Sequence, residues 1–332
     1  MLSLEELHSI TTGAAEIFEK DGYFCFDRFR HRHLQAIREK TAQQYDAQIT
    51  QGRLARCQAS AGIRLEFTTC GGELCFAYRA VLGGATNTYA LEICLDGMGV
   101  FHLQKEGFPD SGRISYTIPA SSTPQRVTVY FPILARLSIG DVCLPADFAP
   151  VKRQIKYLAL GDSITQGSLA KHPNQTYANL LADMLDAELL NQAIAGVQFD
   201  EVYVDEALPF RPDLVTCSYG GNDWFAGTIF GSDKPRACME KVVKTYPYAK
   251  IFLLLPVWMA SEETQKQHGY TLEQIRQEIA RVASQFPQIT LVDSRRFIPH
   301  LTEHYADDRV HPNDTGFLHM AYHLYNAIKP QL

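Results

Sequence analysis

The sequence is poor in the features that mark specialised surroundings. Of its 332 residues 20% are charged, and a formal net charge of -6 leaves no basic excess for a nucleic acid or an anionic membrane to meet. No apolar run approaches the length that crosses a bilayer. The opening residues, Met1-Leu2-Ser3-Leu4-Glu5-Glu6-Leu7, carry acids where a secretory leader has a basic segment followed by an apolar core. A cytoplasmic location is therefore expected. Tryptophan is scarce, with two residues, and the eight cysteines are scattered, among them Cys94, Cys143 and Cys217 in apolar strands. That usage suits a reducing compartment in which cysteine serves as a small hydrophobe. Cys70 and Cys75 flank the turn Gly71-Gly72 and read as free thiols on the same argument.

What is present is an ordinary globular composition, 46% hydrophobic, and a chain long enough for two sizeable cores. Up to about Thr50 the pattern is helical, and Leu34, Ile37 and Thr41 share one helix face. From Gly62 it changes to short alternating runs such as Ile63–Phe67, Leu74–Arg79, Tyr89–Leu95, Ile114–Ile118 and Gln125–Phe131, separated by glycine- and proline-containing turns. Period-two alternation of this kind predicts an antiparallel β-sandwich, jelly-roll-like, over residues 55–148, with residues 1–54 as a helical segment packed on it. Pro145 to Pro150 reads as a hinge. Beyond it, in residues 151–332, continuous apolar strands at Ile155–Leu160, Leu189–Ile194, Leu214–Tyr219, Ile251–Pro256 and Ile289–Val292 alternate with helical patterns at Tyr177–Leu185, Phe199–Ala207, Pro235–Tyr246, Thr271–Phe286 and Thr315–Ile328. The expected fold class there is α/β, a parallel sheet covered by helices on both faces.

Chemistry concentrates at the carboxyl ends of those strands, where open α/β sheets hold their ligands. The first strand runs into Gly161-Asp162-Ser163, placing a hydroxyl at a tight turn. A serine hydroxyl is a weak nucleophile unless a base, an orienter for that base and oxyanion donors accompany it. The second strand leads to Gly196, the third to Gly220-Gly221-Asn222-Asp223, and the segment Asp307-Asp308-Arg309-Val310-His311 offers an acid and an imidazole on one short loop.

These four blocks, in this order, resemble the SGNH hydrolases, the superfamily that includes the GDSL esterases and lipases, with Ser163, Gly196, Asn222 and His311 at the four positions that give the superfamily its name. The Gly-x-Ser-x-Gly elbow of the α/β-hydrolases is absent around Ser163. The resemblance, from about Ile155 onward, implies a flavodoxin-like three-layer α/β/α domain. It further implies Ser163 as nucleophile, His311 as base, Asp308 as its orienter, and an oxyanion hole made by the N–H groups of Ser163 and Gly196 and the amide of Asn222. Asp307 also precedes His311 and is a rival to Asp308. Each position has a plainer reading: Ser163 as a helix cap, Gly196 as a strand end, Gly221-Asn222-Asp223 as a turn.

The two-part plan resembles carbohydrate esterase family 2, which implies removal of O-acetyl groups from sugars. Trp224 and Trp258, at loop positions after the third and fourth strands, are candidate faces for a sugar ring, with a core or lid role as the alternative. Two other functions are consistent with the same residues, a lipid or thioester acylhydrolase and a glycan-binding protein whose hydrolase domain is inactive. No cofactor or metal is expected: His300 with His304, and His319 with His323, are spaced as helix neighbours but lack an accompanying acid in His-Glu-x-x-His order. His31-Arg32-His33 reads as a solvated helix start. The expected partner is a small-molecule or oligosaccharide ester, with oligomeric state left open.

Overall fold

A computed structural model describes residues 2–84, 86–263 and 267–332. Its first part is built of two antiparallel sheets. One is ordered Thr11–Thr12, Arg64–Thr69, Gln125–Tyr130, Thr88–Leu95, Met98–Glu106, with Ala149–Pro150 also pairing with Arg64–Thr69. The other runs Glu16–Lys20, Tyr23–Asp27, Ala135–Cys143, Gly72–Leu82, Asp110–Ile118. Alternation along the strands sends Leu65, Phe67, Leu91, Ile93, Val127 and Val129 from one sheet to meet Leu74, Phe76, Leu137 and Ile139 from the other in one apolar cluster.

Residues 1–54 are not simply helical. Besides the helices Leu4–Ile10, His31–Gln44 and Ala47–Gln58, which ends just beyond them, they supply strands to both sheets. The short alternating runs Glu16–Lys20 and Tyr23–Asp27 become strands because each finds a partner, 23–27 pairing with 135–143 more than a hundred residues away. Ile37 and Cys57, on the second and third helices, join the core of the following α/β domain instead of the sandwich core. The strands Met98–Glu106 and Ala135–Cys143 also exceed the sequence expectation. The first is a mostly exposed edge, and the second is broken by a register shift between Gly140 and Cys143, with Asp141 in a left-handed conformation (φ 46°) within the strand.

The predicted parallel sheet is present. Its strands Ile155–Gly161, Ala187–Asn191, Leu214–Ser218, Lys250–Leu254 and Ile289–Val292 lie in the flavodoxin-like order 2-1-3-4-5. Successive residues of the first strand point to opposite faces. Leu158 and Leu160 pack beneath the helices Lys234–Thr245 and Leu272–Ala283, while Tyr157 and Ala159 pack beneath Tyr177–Met184 and Asp314–Ile328, giving three layers. The helix expected at Phe199–Ala207 shrinks to one 3₁₀ turn, Glu201–Tyr203. Asp200 accepts from the N–H of Val202 and Asp205 from that of Ala207, local bonds that compete with a continuous helix.

The expected hinge is held from both sides. Ala149–Pro150 is a short strand, and beyond it Arg153 donates from Nε (2.8 Å) and Nη2 (2.5 Å) to Glu66 of the sandwich and from Nη2 (2.9 Å) to Asp183 of the α/β domain. Arg64 Nη1 (2.8 Å) and the Tyr130 hydroxyl (2.7 Å) donate to the same Asp183. Among the described residues no helix is long and apolar enough to cross a membrane.

Candidate active site

The strand order sets up the site. The strand ending at Gly161 is flanked by Ala187–Asn191 on one side and Leu214–Ser218 on the other, so the turns holding Gly196 and Asn222 stand on either side of Ser163. Ser163 is the first residue of a single helical turn, Ser163–Gln166, capped by Asp162, whose Oδ1 accepts from the N–H of Ile164 at 3.1 Å. As a first-turn donor, the Ser163 N–H has no acceptor within that turn. The plain reading of Ser163 as the cap fails because Asp162 takes that position.

His311 reaches the serine from a loop closed on itself. Ala306 N–H donates to the His311 carbonyl at 2.8 Å, Tyr305 bridges to Pro312, and Asn313 caps the next helix while donating its amide to the carbonyls of Glu303 and Tyr305. His311 Nε2 lies 2.7 Å from Ser163 Oγ, and Nδ1 lies 2.5 Å from Asp308 Oδ2. An ionised carboxylate only accepts, so Nδ1 carries the proton and Nε2 presents a lone pair to the serine hydroxyl. Asp308 Oδ1 also accepts the main-chain N–H groups of Val310 and His311, at 3.0 Å each. Burial pushes the Asp308 carboxyl up, but the donors around it more than offset this and bring it to about 2, so it stays charged at neutral pH. Asp308, not Asp307, contacts the imidazole.

Asn222 donates one amide proton to the Val197 carbonyl at 2.9 Å, which ties the asparagine turn to the glycine turn and leaves the second proton for another acceptor. Gly196 has φ +81°, a conformation that side chains rarely adopt, and a Cβ there would lie 2.7 Å from Arg56 Nη1. The geometry thus gathers a hydroxyl, an imidazole, a carboxylate and amide donors at one sheet edge, the set needed for acyl transfer through a serine.

Residues 159–317 match the family model described as the GDSL-like Lipase/Acylhydrolase family. This stretch is a GDSL-like lipase/acylhydrolase domain. Among curated proteins none matches the sequence. The fold is similar to that of the salicylyl-acyltransferase SsfX3 from a tetracycline biosynthetic pathway, over 97% of this chain and 94% of that one, at 19% identity and a TM-score of 0.80. It is similar to a family two carbohydrate esterase from Clostridium thermocellum over 82% and 93% of the two chains, at 16% identity and a TM-score of 0.61. An acetyl xylan esterase, Est2A from the rumen bacterium Butyrivibrio proteoclasticus, is similar over 81% and 90%, at 14% identity and a TM-score of 0.58.

The Gly196 turn of the GDSL-like domain rests on groups that motif reading passed over. Gln166 accepts the Ala195 N–H on Oε1 at 2.7 Å and donates to the Arg56 carbonyl at 3.0 Å, while Arg56 Nη1 donates to the Ala195 carbonyl at 2.9 Å. Gln166 lies within the Gly-Asp-Ser block, three residues after the serine, where a sequence signal existed. Arg56 carries no such signal, being 139 positions from its partner. Two carboxyls beside the site are pushed up by burial, Asp162 to about 6 and Asp223 to about 7, the latter also by the charge of Asp162.

Neither tryptophan of the GDSL-like domain offers a face to a sugar. Trp224 is 0% exposed and donates its indole N–H to the Tyr270 carbonyl. Trp258 is 5% exposed, stacks on His300 with ring centroids 4.8 Å apart, and meets Tyr305, whose hydroxyl donates to the Trp258 carbonyl. Trp258 therefore braces the loop that carries His311, and the alternative core reading is the right one for both. His33 is buried, with Nε2 2.7 Å from the Val202 carbonyl, which corrects the solvated reading for that member of its cluster.

Proposed function

We propose that the chain is a serine esterase that removes short acyl groups, acetyl foremost, from carbohydrate hydroxyls. The observation that carries this reading is the unbroken relay Asp308–His311–Ser163, with contacts of 2.5 and 2.7 Å. Ser163 Oγ attacks the ester carbonyl as its proton passes to His311 Nε2. The carbonyl oxygen becomes an oxyanion facing the N–H groups of Ser163 and Gly196 and the free amide proton of Asn222. Collapse breaks the bond to the sugar oxygen, which leaves with the proton from His311, and the acyl group stays on Ser163. Water then attacks with His311 again as base, releasing the acid and restoring the hydroxyl. Asp308 holds Nδ1 throughout and balances the imidazolium charge.

The choice of a short acyl group on a sugar rests on two supports. Ser163, Asn222 and His311 are partly exposed and Asp308 is exposed, an open setting suited to a small acyl group carried on a bulky polar molecule. The similar folds named above include a family two carbohydrate esterase and an acetyl xylan esterase. A second reading, acyl transfer to another hydroxyl in place of water, draws on the likeness to SsfX3 over nearly the whole chain.

The test is hydrolysis of p-nitrophenyl esters from acetate to a long acyl chain, alongside acetylated oligosaccharides, with Ser163→Ala as control. We expect activity falling steeply beyond short acyl groups, free acetate from the oligosaccharides, and neither with the variant. A preference for long chains would move the chain to the lipid acylhydrolase reading. Acyl groups appearing on an added acceptor alcohol in place of free acid would favour transfer. Glycan binding without hydrolysis of any ester would leave the sandwich as the functional unit.

A further inference from the structure

Away from the serine, Glu92, His102 and His172 each bring a ligand-capable atom within 4.8 Å of the other two. Glu92 and His102 are direct cross-strand partners on Thr88–Leu95 and Met98–Glu106, so their side chains rise from the same face. His172 comes from the other domain, in the segment between the helical turn that begins with Ser163 and the 3₁₀ turn Pro173–Gln175. The two imidazole rings lie 4.3 Å apart, and His172 Nδ1 is 3.1 Å from Glu92 Oε1.

The carboxylate is the telling group. Glu92 is 5% exposed, and its Oε2 is buried with no hydrogen-bond partner among the described residues. A buried carboxylate oxygen without a donor is costly and calls for a positive partner. The opposite strand makes room for it: a Cβ at Gly99 would lie 2.9 Å from Glu92 Oε1.

We infer that Glu92, His102 and His172 bind a divalent first-row transition-metal ion, zinc foremost, as a clamp between the sandwich and the GDSL-like domain. Two imidazole nitrogens and one carboxylate oxygen form a zinc-type donor set, and a tetrahedral ion with bonds of about 2.0–2.1 Å separates its ligand atoms by roughly 3.4 Å. The three side chains reach that spacing with shifts on the order of 1 Å. His102 is exposed and His172 partly so, which leaves the fourth position to water. The clamp would also steady the histidine loop from a distance, since the neighbouring Lys171 N–H donates to Asp314 Oδ1, three residues after His311, at 2.8 Å.

The test needs no enzymatic activity. The full chain, freed of metal by a chelator and dialysed, is titrated with zinc sulfate by calorimetry, and its melting temperature is followed, beside His102→Ala and Glu92→Gln. We expect one zinc per chain, a melting temperature that rises with zinc, and affinity at least about a hundredfold weaker in both variants. His102 is exposed, so His102→Ala should melt like the parent without zinc, and its lost response reads on binding alone. Magnesium, which prefers all-oxygen sites, should give no shift. Zinc uptake absent from the parent, equal in parent and His102→Ala, or matched by magnesium would overturn the site. Equal uptake would point to another histidine group, such as His304 and His319 with rings 4.9 Å apart.

Discussion

Asp308 and Glu66 are both carboxylates held below their ordinary values, against the effect of burial, by donors gathered around them. Their settings differ. Asp308 takes its donors from residues two and three positions along the chain and is 37% exposed at its side chain. Glu66 takes its donors from Arg153, 87 positions away, and is 1% exposed. A short-range pair near water shapes one loop and leaves the fold alone. A long-range pair in the interior joins two domains, and its loss strands buried charge.

Substitutions can break this comparison. Asp308→Asn should lower turnover on a short ester by roughly 10⁴, because the wrong tautomer is held at His311, with little change in melting temperature. A comparable loss of stability would erase the distinction between the two carboxylates. Glu66→Ala leaves Arg153 without its main partner and should cost about 3–5 kcal/mol in denaturant unfolding, with turnover per folded molecule kept. Unchanged stability would mean that the other contacts across the seam, such as those of Arg64 and Tyr130 to Asp183, hold the domains without Glu66. Asn222→Ala should reduce kcat by about a hundred- to a thousandfold while KM moves little. An effect on KM alone would place Asn222 in ground-state binding.

The smallest effect sharpens the contrast by its sign. A carboxyl raised in the folded state binds protons better folded than unfolded, so its contribution to stability is present below the ordinary aspartate value of about 3.9 and fades as pH rises. For Asp223, pushed to about 7, the decline runs from about pH 4 through 7. Asp308, held at about 2, acts in the opposite direction: its contribution is present above about 4 and is lost as pH falls through 2. Asp223→Asn should therefore flatten the fall of melting temperature between about pH 4 and 7, while Asp308→Asn, which removes only a half-exposed pair, should flatten no more than a shallow acid limb between about pH 4 and 2. Identical pH profiles for both variants would contradict the opposed shifts.

The parallel sheet and the motif-borne groups were legible because their signals are local. Apolar runs of four to seven residues mark strands, and Gly-Asp-Ser and Asp-x-x-His each hold partners within a few positions. The strands Tyr23–Asp27 and Ala135–Cys143 were not, since their pairing depends on distant neighbours and, in the second, on a register shift at Gly140. Burial of Trp224 and Trp258 was likewise out of reach. A loop position after a strand says where the backbone goes, whereas the acceptor for Trp224 is a carbonyl 46 residues away.

The support of the Gly196 turn by Arg56 has a wider consequence. Arg28, from the same early part of the chain, donates to the carbonyls of Asn191 and Ala193, and Gln192 donates back to the Arg28 carbonyl. The turn that carries Gly196 is thus upholstered by residues 28 and 56, far outside the stretch 159–317 that matches the family model. The early residues cannot be exchanged as a passive appendage without retuning the turn they hold.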